Sequence, residues 1–237
     1  MSIRNLDAVF KSTSVALIGA SNRPNSIGQV LARNLTAGSF RGPVLPVNPK
    51  HRSVAGILCH KSVHDLPITP DLAVICTPPH TIPGIIDELG GRGTKGAVVI
   101  SAGFAELGHE GAELQDRLLA AAQPHLLRLV GPNCLGIMVP GHGLNASFAH
   151  LTPPVGDIGF LSQSGAVLTS VIDWAYARGI GFSHLASLGS MADIDFGDML
   201  DYLARDPKTR AIMLYIEAVT HPRKFMSAAR AAARTKP

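Results

Sequence analysis

The run from Ser14 to Gly28, SVALIGASNRPNSIG, constrains this chain more than any other stretch. Val15-Ala16-Leu17-Ile18 is short, apolar and rich in branched residues, the pattern of a strand buried on both faces. Gly19 ends it, a small polar loop runs from Ala20 to Ser26, and a helical pattern begins at Ile27. Val30, Leu31 and Leu35 share one face of that helix and Gly38 stops it. Strand, glycine turn and helix in this order make the first unit of a nucleotide-binding α/β sheet, in which the helix N-terminus offers free N–H groups to a phosphate.

The loop departs from a dinucleotide site. That fingerprint is G-x-G-x-x-G with an acidic residue about 20 residues on, for the ribose hydroxyls. Here Ser21 stands at the second glycine and the next glycine is Gly28. The second strand, Val44–Val47, ends in Asn48-Pro49-Lys50 with no carboxylate. A lysine there suits a phosphorylated ribose, found in NADP and in coenzyme A, better than a free diol. The bland alternative is an ordinary βαβ unit with a chance lysine.

The same pattern recurs along the chain. Asp71–Cys76 is a buried strand stopped by Thr77-Pro78-Pro79, because proline lacks the donor that a central strand needs. A helix carrying Ile82, Ile85, Ile86 and Leu89 follows, then a strand at Ala97–Ile100 ending in Ser101-Ala102-Gly103-Phe104. A helix with Leu114 and Leu118 leads to a strand at 127–130 closed by Gly131-Pro132-Asn133-Cys134. These strand ends converge on one carboxyl edge, where open α/β sheets bind ligands. Between Leu135 and Gly156 glycine and proline are dense and periodicity vanishes, which predicts a linker. A second α/β unit then reads as strand 158–161, the turn Ser162–Ala166, a helix to about Arg178, strand 182–188, helix 196–204, strand 211–216 ending at Glu217, and an alanine-rich helix from about Pro222.

Composition narrows the class. With 46% hydrophobic, 16% charged and 5% aromatic residues, the chain fits sheets buried on both faces. Every apolar run is broken by Gly, Pro or charge, so no transmembrane span is expected, and the first residues lack a signal-peptide core, which points to the cytoplasm. The net charge of +4 comes from scattered residues rather than a basic stripe, which argues against nucleic acid and for a small anion. Cys59, Cys76 and Cys134 are too few and too scattered for a disulfide framework. His60 and His64 have metal-ligand spacing but lack a third ligand nearby, so no metal site is expected.

Taken in order, the stretches Val15–Ser21, Val47–Lys50, Ala73–Pro79, Ile100–Phe104, Gly131–Gly136, Phe160–Ala166, Ser187–Asp201 and Ile216–Glu217 resemble the CoA-binding half of the nucleoside-diphosphate-forming acyl-CoA synthetases. That superfamily includes ADP-forming acetate–CoA ligase and the α subunit of succinyl-CoA synthetase. The resemblance implies a Rossmann-like CoA-binding domain over 1–134, the linker over 135–156 and an incomplete flavodoxin-like, succinyl-CoA ligase-like α/β domain over 157–237. It implies that CoA is surrounded by Gly19, Ala20, Ser21, Lys50, Thr77, Pro78, Ser101, Gly103, Phe104, Asn133 and Cys134. Lys50 would meet the 3′-phosphate, Pro78 and Phe104 would pack on the ligand, and Cys134 would line the site rather than act as a thiolate, since no flanking base lowers its pKa. Ser164 and Gly165 would open the helix that holds phosphate, and Glu217 would orient a phosphohistidine. The reaction implied is acyl-CoA, phosphate and ADP to carboxylic acid, CoA and ATP, through acyl phosphate and phosphohistidine.

Departures from the family pattern limit that carry-over. Ser190 stands where the family has asparagine, and an SHTG-like phosphohistidine motif is absent from this sequence. Neither His142, His150 nor His221 has its context. The ATP-grasp domain that would bring ADP or ATP and Mg is absent too, so the chain reads as an amino-terminal fragment, inactive by itself, that works with an ATP-grasp domain or subunit. The rival readings are a CoA-sensing part of a protein acetyltransferase, with an acetyltransferase domain at the carboxyl end, and an NADP-dependent oxidoreductase. A Ser164 hydrolase fails, because Ser162 and Ala166 occupy the glycine positions of the nucleophile elbow.

Overall fold

Residues 3–237 are described by a computed structural model, in which two five-stranded sheets share one continuous apolar core. The chain starts with helix α1 (Leu6–Phe10), strand β1 (Val15–Ile18), helix α2 (Ile27–Ala37) and strand β2 (Val44–Val47). A small ribbon of β3 (Ser53–Val54) and β4 (Ile57–Leu58) follows, then β5 (Leu72–Ile75), α3 (Ile82–Gly91), β6 (Gly96–Val99), α4 (His109–Ala122) and β7 (Arg128–Val130). The first sheet is parallel throughout, in the order β2-β1-β5-β6-β7.

These strands are buried on both sides because alternate residues serve different helices. Val15 and Leu17 pack with Leu31 and Leu35 of α2, while Ala16 and Ile18 pack with Ile82 and Ile86 of α3 and Leu118 of α4. This explains why the strands read as unbroken apolar runs. The chain leaves β1 toward β2 on one side and returns to β5 on the other. The switch point between β1 and β5 therefore opens a crevice at the carboxyl ends of the strands.

The segment 135–156 is not a linker. It forms β8 (Gly136–Val139) and β9 (Leu144–Ser147), a buried antiparallel hairpin. Gly136 and Gly143 have φ of +113° and +72°, so the glycines that suggested a loop are the bends of this hairpin. Its strands are buried on both faces and therefore show no alternation. Asn34 of α2 donates to the carbonyls of Ser147 and Ala149 at 2.8 Å, which ties the hairpin to the first unit. The chain continues as β10 (Val155–Ser162), α5 (Gly165–Tyr176), β11 (Phe182–Ser187), α6 (Phe196–Arg205), β12 (Ala211–Tyr215) and α7 (Pro222–Ala232). The second sheet runs β12-β10-β11-β8-β9, with the first three strands parallel and the hairpin antiparallel to β11. At the β12 edge Met213 and Tyr215 are exposed, as is Met226 of α7. Among the described residues no helix is long and apolar enough to cross a membrane.

Candidate functional site

The crevice between β1 and β5 has a volume of about 750 Å³ and is built around Gly19. Gly19 has φ +94°, and a Cβ there would lie 3.0 Å from the Cys76 sulfur and 3.2 Å from its backbone. Gly28 stands where the helix meets the loop: a Cβ there would be 2.2 Å from the Gly19 carbonyl oxygen. The two glycines let α2 close on the end of β1. Ser26 caps α2 by accepting from the Gln29 N–H at 3.3 Å, and no acidic side chain occupies the first turn. The helix N-terminus thus faces the crevice with its anion-attracting end uncompensated.

The end of β2 supplies one wall. Asn48 donates to the Ala20 carbonyl at 2.8 Å and accepts from the Lys50 N–H at 2.9 Å, fixing the loop from which exposed Lys50 extends. Arg23 and Lys61 reach the same crevice. Lys61 is held there by its neighbour: Ser62 donates its N–H and hydroxyl to Asp65 at 3.0 and 2.8 Å, a capping box written in the sequence as S-x-x-D. Neither Lys61 nor Arg23 stood out from sequence reasoning, although the capping box was a readable signal for the first. Glu88 of α3 also lines the crevice, with His64 Nε2 at 3.8 Å. Among the described residues no three metal-ligating side chains converge.

Of the residues expected around a ligand, Gly19, Ser21, Lys50, Thr77 and Pro78 line this crevice. Ala20 is buried behind it. Ser101 supports from outside, donating its hydroxyl to the Thr77 carbonyl at 2.6 Å. Gly103, beside Pro79, and exposed Asn133 are not among the lining residues. Two expectations need correction. Phe104 is fully buried in the core with Leu114 and Leu118, because α4 closes over it at Gly111. Cys134 is buried as well, its thiol donating to the Val99 carbonyl at 3.3 Å, and burial pushes its pKa up to about 12. Burial does the same to Cys76, also to about 12, so neither thiol is poised as a thiolate.

The second turn lies at the carboxyl end of β10. Ser164 caps α5, accepting from the Val167 N–H at 3.3 Å, and Ser162 donates to the Ser164 carbonyl at 2.7 Å. The Gln163 side-chain oxygen accepts from the N–H groups of Glu217 and Ala218, both at 2.9 Å, so exposed Glu217 is brought to this turn by its backbone. The three histidines considered earlier are engaged elsewhere: His142 with the Ser12 carbonyl at 2.7 Å, His150 with Asp173 at 2.8 Å and His221 with Asp195 at 2.9 Å. Hydrogen bonds connect the end of β5 with the end of β11. Beyond the Ser101–Thr77 bond, Asn133 N–H donates to Ser101, Ser190 N–H to Pro132, and Leu135 N–H to the Ser187 hydroxyl.

Residues 13–140 match the family model for a CoA binding domain, and residues 155–237 match that for a succinyl-CoA ligase like flavodoxin domain. The ADP-forming acetate–CoA ligase I of Archaeoglobus fulgidus is 43% identical over 232 residues, covering 98% of this chain and 34% of that protein. The α subunit of ADP-forming acetate–CoA ligase II from Pyrococcus furiosus is 39% identical over 232 residues, 98% of this chain and 50% of that one. Among solved structures, the dinucleotide-forming acetyl-coenzyme A synthetase 1 of Ca. Korarchaeum cryptofilum, in complex with phosphate and ADP, aligns with a TM-score of 0.94 at 36% identity, over 99% of this chain and 51% of that one. The chain therefore spans between 34% and 51% of the length of these relatives.

Proposed function

Because this chain belongs to the CoA-binding domain family through residues 13–140, we propose that it is the CoA-handling part of an ADP-forming acid–CoA ligase. The overall reaction takes acyl-CoA, phosphate and ADP to carboxylic acid, CoA and ATP. One observation carries the reading: the β1–α2 crevice combines an open helix N-terminus with Lys50, Lys61 and Arg23, and the end of β2 carries no carboxylate for a free ribose. Gly19 and Gly28 line the crevice and leave no room for a Cβ against Cys76 and the Gly19 carbonyl, so the backbone there can come close to a ligand. Lys50 would hold the 3′-phosphate, Ser21 and the first amides of α2 the pyrophosphate, and Thr77 and Pro78 the remainder. CoA, when bound, supplies the thiol that carries the acyl group.

The Ser164–Gly165 turn would hold the phosphate on the amides of α5, and Gln163 would keep Glu217 beside it to orient a histidine delivered from another segment or subunit. ADP and Mg would be bound by a separate nucleotide-binding domain or subunit. A cytoplasmic location would suit chemistry on CoA esters and ADP.

Calorimetric titration with CoA, NADPH and NADH tests the reading. CoA is expected to bind most tightly, and tighter binding of NADPH would replace it with an oxidoreductase. A regulatory CoA sensor is separated by a second outcome: the ligase reading requires ATP formation from acyl-CoA, phosphate and ADP by the whole protein.

A further inference from the structure

Asn22 lies between Ser21 and Arg23, which both line the β1–α2 crevice, yet it is not itself a lining residue. Its side chain bonds the small β3–β4 ribbon instead. The Asn22 amide donates to the Ser53 carbonyl at 2.8 Å, and its side-chain oxygen accepts from the Ala55 N–H at 3.3 Å. Ala55 and Gly56, at φ +51° and +79°, make the tight turn of that ribbon, a conformation that alanine enters only at a cost. The ribbon is a fixed post. Val54 is buried in the main apolar core, and the Cys59 N–H donates to the Arg52 carbonyl at 3.0 Å. Just beyond it the Asn48 N–H donates to the His60 carbonyl at 2.8 Å, which ties the ribbon to the end of β2.

The loop from Ala20 to Ser26 is thereby held in three places. Asn48 holds the Ala20 carbonyl, the ribbon holds Asn22, and the Ser26 hydroxyl donates to the Arg23 carbonyl at 2.7 Å. The Ser21 hydroxyl accepts from the Arg23 N–H at 3.0 Å, and Pro24 narrows the backbone of Arg23 further. Arg23 is exposed at the crevice on the side of the α2 N-terminus, where the helix end attracts an anion. A guanidinium presents its paired donors to a phosphate only from a set position. A loop ordered before binding also loses little further freedom when the ligand arrives.

We propose that Asn22 is a positioning residue for the pyrophosphate of the ligand. By tying the loop to the β3–β4 ribbon it aims Arg23 at that group, beside the first amides of α2, while Lys50 at the end of β2 serves the 3′-phosphate. This rests on the CoA reading of the crevice.

The test is calorimetric titration of CoA and of 3′-dephospho-CoA into the full chain and into Asn22→Ala, Arg23→Gln and the double variant, with thermal melts alongside. Asn22→Ala should melt within about 4 °C of the native chain, as for one exposed hydrogen-bonded side chain. It should bind both ligands about three- to tenfold more weakly, because both carry the pyrophosphate. Arg23→Gln should weaken both by a similar factor, about three- to tenfold. The double variant should bind about as well as the weaker single variant, since Asn22 acts through Arg23 and the two losses are then one loss. The proposal is overturned by unchanged affinity in Asn22→Ala, by a loss confined to CoA, or by losses that multiply in the double variant. A collapse of the Asn22→Ala melt overturns it too, by making Asn22 part of the fold rather than of the site. Each of these results leaves CoA binding by the native chain intact, whereas a native chain that binds neither ligand overturns the crevice reading and this proposal with it.

Discussion

At the end of β1 the chain leaves the sheet through Gly19 and runs to Ser26 before α2 begins, whereas at the end of β10 it turns through Gln163 and enters α5 at Gly165. Both helices are capped by serine, and both turns lie on a carboxyl edge. The first loop is long enough to stand away from the sheet, which leaves a crevice of about 750 Å³ with Arg23, Lys50 and Lys61 on its walls. The second is tight, and its side chains are spent on the backbone: Ser162 on Ser164, Gln163 on Glu217 and Ala218. One local device, a strand running into a helix N-terminus, thus leaves an open crevice when the loop is long and a closed turn when it is short. Loop length and the neighbouring side chains decide which, since the helix end is the same in both.

The largest expected effect would sharpen the boundary of the first site. Phe104→Ala should cost about 3–5 kcal/mol of stability, as for a large aromatic removed from a core, while CoA affinity of the folded protein stays unchanged. Retained stability with lost CoA binding would put the ring on the ligand instead.

The second unit should be the more acid-sensitive. His184 titrates near 4 in the folded chain against 6.5 when unfolded, so the unfolded state takes up the proton first. Its contribution is complete above pH 6.5, is lost as the pH falls from 6.5 to 4, and is level below that. About 3 kcal/mol is at stake. Urea unfolding followed by the single tryptophan, Trp174 of α5, reports on this unit. The slope between those pH values should flatten in His184→Gln, and an unchanged slope would remove His184 as the cause.

The two turns themselves can be compared by one methyl group each. Gly28→Ala places a Cβ 2.2 Å from the Gly19 carbonyl oxygen and should cost about 1–3 kcal/mol, with CoA binding impaired. Gly165→Ala meets Leu135 Cβ at 3.2 Å in a helix that gains from alanine, and should stay within about 1 kcal/mol. Thermal melts of the two variants decide it. Equal costs would mean that the first turn is no more tightly closed than the second.

Much of the first unit was legible because its strands are short unbroken apolar runs bounded by Gly and Pro, so Val15–Ile18 and Val44–Val47 fall where the pattern puts them. The β8–β9 hairpin was not legible, since strands buried on both faces lose the alternation that marks a hairpin, and its turn glycines then resemble a linker. Gly19, Lys50 and Thr77, each next to a strand end where the local chain sets the exposure, line the crevice. Phe104 and Cys134 were misplaced because their burial depends on distant partners, α4 for one and the Val99 carbonyl for the other. For Lys61 the local capping box at Ser62 was readable, but its place beside β2 depends on the parallel bridge between Val47 and His60.

The central claim is that the β1–α2 crevice holds CoA and that Lys50 reads its 3′-phosphate. Calorimetric titration of CoA and of 3′-dephospho-CoA into the native chain and into Lys50→Ala tests this directly. The expected result is a loss of about 1–3 kcal/mol for CoA, the size of a charge-assisted hydrogen bond, with no loss for 3′-dephospho-CoA. Equal losses for both ligands, or none for either, would contradict the account.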